Sequence, residues 1–275
     1  MTRRSGLLAG RRLLAIFAHP DDESLACGGT LARCAAEGAR VTVLCVTRGE
    51  AGGRAAGCQE DVALGSVRRV ELHRAAERLG LDEVILLDHP DGSLNGVDPA
   101  LFKHEIVLTI RHVRPDLVIT FGADGLYWHP DHIFVHERVT EAVDALGPSG
   151  PALFYVVFPA GLMRRVVETA QANPGTPEGL SLWAIDADAF GAYAAEPTLE
   201  VDATPFAARK IEALRCHRSQ VDEHSPFTWL TREQAEALLG REHFVRAPVG
   251  DANPTFLDLL NAPQAISVRT DRAPR

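Results

Sequence analysis

Leu13-Leu14-Ala15-Ile16-Phe17-Ala18 runs without a break into His19-Pro20-Asp21-Asp22-Glu23. The run is six residues long, far short of the roughly 20 that a membrane helix needs. It also lacks the longer apolar region and small-residue cleavage site of an export signal, although Arg3-Arg4 and Arg11-Arg12 precede it. It reads as a buried first β-strand that ends in a cluster of titratable side chains.

Outward from this strand, the first half of the chain alternates strand and helix signals. Thr30–Glu37 is Ala-rich and reads as a helix closed by Gly38, and Val41–Thr47 is a second apolar, β-branched run. Leu72, Ala75, Ala76 and Leu79 fall on one helical face before Gly80. Glu83–Leu87 is the third strand candidate. Phe102, Ile106, Ile110 and Val113 mark another helix, which Pro115 breaks. Leu117–Phe121 follows as a strand, Ile133–Leu146 as a helix and Leu153–Phe158 as a strand. This alternation predicts βαβ units, hence an α/β fold with a mostly parallel sheet and helices on both faces. After about Pro159 the signals weaken. Asn173–Gly179 is a loop by its Pro and Gly content, Leu180–Ile185 and Thr198–Val201 are strand candidates, and Pro205–Cys216 reads as a helix. No linker divides the chain, so 1–275 is taken as one domain, with a core at about 11–160 and a C-terminal extension at about 160–275.

A net charge of −9 with no basic stripe argues against a nucleic-acid partner, and no apolar stretch argues for a membrane. Five cysteines, odd in number and without a CxxC pair, argue against a disulfide framework or a thiolate metal site. They fit a reducing, cytoplasmic compartment. Cys58, in a polar Gly-rich loop, is the one most exposed to chemistry.

In open parallel sheets, ligands bind beyond the C-terminal strand ends. Two motifs stand there: Ala18-His19-Pro20-Asp21-Asp22-Glu23 after the first strand and Gly125-Leu126-Tyr127-Trp128-His129-Pro130-Asp131-His132 after the fourth. Adjacent carboxylates at a buried strand end repel and are costly to desolvate, and a divalent cation offsets that charge. Imidazole with carboxylate suits zinc, or iron(II). Two histidines and one carboxylate form a catalytic metal set with one position open for water. With Asp22 as the carboxylate ligand, Asp21 is free to act as general base. His129 is read as general acid or oxyanion stabiliser, with Asp131 hydrogen-bonding its far nitrogen, and Tyr127 as a donor to the oxyanion. Pro130 suits the first turn of the following helix, and Glu23 suits a backbone hydrogen bond at the start of its own helix.

The stretch AHPDDESLACGGTLA, Thr47-Arg48-Gly49-Glu50, Arg68-Arg69-Val70-Glu71, HPDH and His217-Arg218-Ser219-Gln220 after Lys210 resemble the LmbE/PIG-L family of zinc deacetylases, in the family's order from about residue 13 to 220. The resemblance implies a Rossmann-like fold and zinc held by His19, Asp22 and His132. It implies Asp21 as general base, His129 as general acid or electrostatic catalyst, Arg68 as a substrate contact and Tyr127 as a mobile tyrosine. It also implies hydrolysis of an N-acetyl amide on a GlcNAc-containing small molecule such as an amino-sugar conjugate. A glycolipid fits less well, since no apolar anchor is evident. A larger amide such as a thiol S-conjugate stays open, as do a non-catalytic metal- or nucleotide-binding module and a homo-oligomeric state. Pocket-mouth loops at 51–66, 89–99 and 159–180 would discriminate.

Three further features take plainer readings. Asp88-His89-Pro90-Asp91-Gly92 repeats HPD but lacks a second ligand at metal spacing, so it reads as a loop lining the crevice. Gly28-Gly29 has no phosphate-loop spacing and reads as close helix packing. His217 and Gln220 serve equally as lining or as helix packing.

Overall fold

The computed structural model describes residues 6–55 and 62–261, so Cys58 lies outside the described residues. Its elements are β1 (Arg12–Phe17), α1 (Asp22–Ala36), β2 (Arg40–Thr47), α2 (Leu64–Leu79), β3 (Glu83–His89), α3 (Pro99–Val113), β4 (Leu117–Phe121), α4 (Gly125–Trp128), α5 (Pro130–Leu146), β5 (Ala152–Val157), α6 (Leu162–Gln171), β6 (Leu199–Asp202), α7 (Ala207–Leu214), α8 (Pro226–Trp229), α9 (Arg232–Leu239), β7 (Arg241–Arg246) and α10 (Phe256–Asn261).

The seven strands form one sheet in the order β3-β2-β1-β4-β5-β7-β6. β1 to β5 run parallel, and β7 is antiparallel to both β5 and β6. Helices α1, α2 and α7 pack together, as do α3 and α5. Strands covered on both faces read as continuous apolar runs, and Leu13 to Ala18 are accordingly fully buried. From β1 the chain winds to β2 and β3, then returns through α3 to β4 on the other side of β1. The strand order therefore reverses between β1 and β4, where a crevice opens at their C-terminal ends. His19 and the 125–132 segment both emerge there. Among the described residues, no helix is long and apolar enough to cross a membrane.

The α/β architecture is as the sequence predicts, with differences in detail. The helix expected from Thr30 begins at Asp22, eight residues earlier. A kink at Cys27 (φ −148°) splits it, and Gly28-Gly29 hides the first half from a propensity reading. The kink exposes backbone N–H groups that the buried carboxylate of Glu242 accepts, from Gly29 at 3.0 Å and Thr30 at 2.6 Å. Lys210 Nζ lies 2.6 Å from the same carboxylate, also buried. A Cβ on Gly29 would meet Ala203 Cβ at 2.8 Å and Glu242 Oε1 at 3.1 Å, so the glycine pair does serve close packing.

Leu180–Ile185 is not a strand. Trp183 and Ala184 both have positive φ, which reverses the chain after a single Leu182–Ile185 bridge. The helix expected over Pro205–Cys216 starts as a 3-10 turn at Thr204–Phe206 and becomes α-helical only at Ala207. The segment after Pro159 contributes β6 and β7 to the same sheet. β7 went unread, although Glu242 and Phe244 alternate with more exposed neighbours in the period of a strand.

Removing one partner of a buried ion pair leaves the other charge unpaired. Glu242→Ala should lower stability by about 3–5 kcal/mol in urea unfolding. The double variant Lys210→Met/Glu242→Leu should recover only the part due to the unpaired lysine, because the N–H groups of Gly29 and Thr30 still lack an acceptor.

Candidate active site

β1 delivers His19 into a tight turn at the start of α1. His19 N–H donates to Asp22 Oδ2 at 2.8 Å. Asp21 takes φ 118°, a conformation L-residues rarely adopt. Glu23 holds it there, because its Oε2 accepts the Asp21 N–H at 3.0 Å. Glu23 is itself fixed by Ser24 Oγ at 2.5 Å and His217 Nε2 at 3.0 Å, all buried. The unusual backbone sends the two aspartates apart. Asp21 Oδ2 meets Arg68 Nη2 at 3.0 Å, while Asp22 turns to the histidines.

His132 arrives from the first turn of α5, whose N-cap is His129 with Pro130 behind it. His132 Nε2 lies 3.1 Å from His19 Nδ1 and 3.3 Å from Asp22 Oδ1, and His19 Nδ1 lies 3.4 Å from Asp22 Oδ2. The outer ring nitrogens fix the tautomers. His132 Nδ1 donates to Gly125 O at 3.0 Å, and the His132 ring stacks on Phe121 at 4.0 Å. His19 Nε2 faces Asp91 Oδ1 at 3.0 Å and Asp131 Oδ2 at 3.3 Å. The inner nitrogens therefore present lone pairs to each other and to a carboxylate. Such a set is repulsive unless a cation lies among the three, and its composition, with oriented outer nitrogens, is that of residues that could hold a metal. The surrounding carboxylates favour positive charge at this centre. Burial opposes charging His19, but Asp131, Asp22 and Asp91 outweigh it and hold its pKa well above normal. Burial would raise Asp22, but His132 and His19 hold it well below the usual carboxylate range.

Around this centre, burial pushes the Asp21 pKa up to about 6, with Arg68 opposing and Asp22 reinforcing. Burial lowers His129 to about 4, reinforced by His132 and His19. His129 Nδ1 accepts the Asp131 backbone N–H at 3.2 Å, so the neutral ring carries its proton on Nε2. Tyr127 is mostly buried, and burial followed by Asp22 keeps its hydroxyl protonated, with a pKa well above normal. Its ring lies 5.3 Å from that of His132 and 4.7 Å from that of Phe190.

One reading changes and two gain detail. Asp131 does not hydrogen-bond the far nitrogen of His129. Its carboxylate is taken up by Gly92 N at 2.7 Å, Leu94 N at 3.1 Å and His19 Nε2. Its partner is thus His19, because a side chain at the second helical position points back over the turn and away from its neighbour. Asp91, set aside in a loop, touches His19 directly. Only the three-dimensional approach of the 89–94 loop brings it there, and its spacing gave no signal. Arg68 is occupied by protein groups, with Pro20 O at 2.6 Å, Gly49 O at 2.9 Å and Asp21. Gly49 is required for this, since a Cβ there would fall 2.3 Å from Arg68 Nη1.

These groups border a cavity of about 480 Å³ lined by His19, Asp21, Asp22, Arg68, Tyr127 and His129. Gly52–Ala55 and Asp91 line it, as two of the expected loops should, and so does Gln220. The expected third loop, 159–180, does not; Ser181, Trp183 and Ile185 stand there instead.

The family model described as PIG-L, GlcNAc-PI de-N-acetylase, matches residues 14–143. The 1D-myo-inositol 2-acetamido-2-deoxy-alpha-D-glucopyranoside deacetylase of Streptomyces avermitilis is 34% identical over 91% of this chain and 97% of its own length. Among solved structures, the N,N'-diacetylchitobiose deacetylase of Pyrococcus horikoshii superposes with a TM-score of 0.61 at 21% identity, covering 86% of this chain and 84% of its own. The 4-carboxy-2-hydroxymuconate hydratase of Pseudomonas putida KT2440 superposes at 0.59 with 18% identity, covering 89% of this chain and 100% of its own. At these identities the two structures share the fold.

Loss of an outer partner to a metal-binding histidine typically weakens metal affinity by about 10–100-fold. Asp131→Asn should therefore weaken divalent-metal binding by that factor in a chelator competition, and His132→Ala should abolish it. Unchanged affinity in Asp131→Asn would return Asp131 to a role on His129.

Proposed function

Because the chain belongs to the PIG-L family of de-N-acetylases and is accordingly an N-deacetylase, we propose that it removes the acetyl group from a glucosaminyl residue carrying a small polar aglycone of the inositol kind, with zinc as its metal. The observation that carries this reading is the divergence of Asp21 and Asp22. One carboxylate groups with His19 and His132 as a metal set would require, and its neighbour, paired with Arg68, lines the adjoining cavity. Iron(II) suits the same donors. When bound, the metal supplies Lewis acidity toward the acetyl carbonyl and toward the attacking water.

The remaining work falls to side chains. Asp21 takes the proton of the attacking water and returns it to the leaving nitrogen as the C–N bond breaks, so that acetate and an amine result. His129, neutral with its proton on Nε2, stabilises the developing oxyanion as a hydrogen-bond donor, and the buried Tyr127 hydroxyl is suited to assist. A hydrogen-bond donor that stays uncharged costs no proton at the moment of reaction, which favours this role over general acid for His129. Arg68 keeps Asp21 oriented and presents the edge of its guanidinium to substrate. A cavity of about 480 Å³ lies within the roughly 300–1,000 Å³ typical of small-molecule sites. This favours a small glycoside over a large conjugate.

The deciding assay is amine release from a GlcNAc–inositol glycoside, a GlcNAc thiol S-conjugate and free N-acetylglucosamine. The glycoside should react fastest, and preference for the S-conjugate would replace this substrate assignment. Asp21→Asn should keep the metal and lose about 10²–10⁴-fold in turnover. The base must be ionised, so kcat/KM should fall as pH drops through the Asp21 pKa. Burial, opposed by Arg68 and reinforced by Asp22, puts that at about 6, and a bound cation moves it lower. The Asn variant should lack this limb.

A further inference from the structure

The part of the cavity lining away from the metal donors contains Ser181, Trp183 and Ile185 together with Asp222, His224 and Ser225. Trp183 and Ala184 adopt φ of 55° and 60° in succession. Left-handed backbone is unfavourable for residues with a Cβ, by about 1–2 kcal/mol each, and a turn of this type ordinarily selects Gly or Asn. The surroundings enforce it here. Ala184 N donates to Ser181 Oγ at 2.8 Å, Ile185 N to Leu182 O at 2.9 Å and Ser181 N to His224 O at 2.8 Å. Strain held in place at the wall of a binding cavity points to a side chain that must be presented there.

That side chain is an indole with its polar atom already used. Trp183 Nε1 donates to Gln220 O at 3.0 Å, and Phe227 supports the ring at 6.1 Å. What remains for the cavity is a rigid apolar surface. Its position relative to the reacting centre follows from Gly52. A Cβ there would lie 2.8 Å from Arg68 Nη1 and 3.3 Å from Gln220 Oε1. Gln220 Nε2 also donates to Gly53 O at 2.8 Å. Trp183 thus lines the same cavity as Arg68, connected to it through Gln220 and Gly52 and two residues removed from it. Beside it, the half-buried Asp222 and the exposed His224 bring hydrogen-bonding groups to an apolar platform. A cyclic polyol, apolar on its C–H face and polar at its rim, matches that pairing.

We propose that Trp183, presented by the strained 182–185 turn, is a specificity-determining residue that stacks on the aglycone of the substrate, with Asp222 and His224 taking its hydroxyls. This rests on the deacetylase reading above. Trp183→Asn is the informative variant, because asparagine tolerates the left-handed backbone and so removes the ring while keeping the turn. It should raise KM for the GlcNAc–inositol glycoside about tenfold with kcat little changed. Turnover of free N-acetylglucosamine should stay within about twofold, and Trp183→Phe should restore most of the preference for the glycoside. Equal losses on both substrates, or no loss on either, would overturn the proposal. If the wild-type protein hydrolyses neither substrate, the deacetylase reading fails and binding tests the subsite alone. Saturable binding of glucosaminyl-inositol in an NMR titration, lost in Trp183→Asn, would support the subsite. Binding unaffected by the variant, or absent from the wild type, would overturn it.

Discussion

Two carboxylates on neighbouring buried residues have to point in different directions, and the site depends on that separation. If Asp21 and Asp22 shared a side of the turn, both would face the histidines and no second carboxylate would meet Arg68 at the cavity. The left-handed backbone of Asp21 separates them, and such a conformation costs about 1–3 kcal/mol and persists only under external constraint. The constraint comes from far along the chain. Glu23 accepts the Asp21 amide, His217 holds Glu23 from the loop after α7, and Arg68 reaches from α2 to Pro20 O and Asp21 Oδ2. The segment beyond residue 160 is thus part of the site as well as of the sheet.

The same loop carries further bonds. Ser219 donates from both N and Oγ to Glu71, at 2.8 and 2.6 Å, and Ser219 O accepts Ala55 N at 2.9 Å. Glu71 lies one helical turn beyond Arg68 on α2. One helix therefore anchors the turn bearing Asp21 and the loop bearing His217 and Gln220. This arrangement gives a physical reason for Arg68 and Glu71 to be buried, where lone charges would be costly.

Legibility in the sequence followed the range of the interactions. β1 to β5 were readable because each is an apolar run bounded by turn residues, and the strand–helix alternation leaves few topologies. His19, Asp22 and His132 were recognisable as chemistry because they cluster at strand ends, and the structure brings their donor atoms together. The first half of α1 was lost because Gly28-Gly29 suppresses helix propensity, and only Glu242, more than two hundred residues later, explains the kink. The Trp183 turn was misread as a strand because its residues are apolar and its left-handed backbone is imposed by tertiary contacts. Asp91 and the true partner of Asp131 depend on a loop approach that has no local signature. Pairwise long-range polar contacts are the class of information that a single sequence holds least well.

A shared sheet topology does not choose a reaction, since a hydratase superposes on this chain almost as well as a chitobiose deacetylase does. Amide hydrolysis follows from the family, and the electrostatics of the two groups nearest the donor set accord with it. Burial and neighbouring positive charge both drive His129 toward neutrality, and a divalent cation among His19, Asp22 and His132 would act in the same direction. For Asp21, burial favours the protonated acid, while a cation favours the carboxylate. The metal that the donor set fits would therefore leave His129 as an uncharged donor and restore Asp21 as an ionised base. Burial pushing the Asp21 pKa up and a cation pulling it down would together let this carboxyl take up a proton and release it. These are the two events an acyl transfer from nitrogen to water demands of its base.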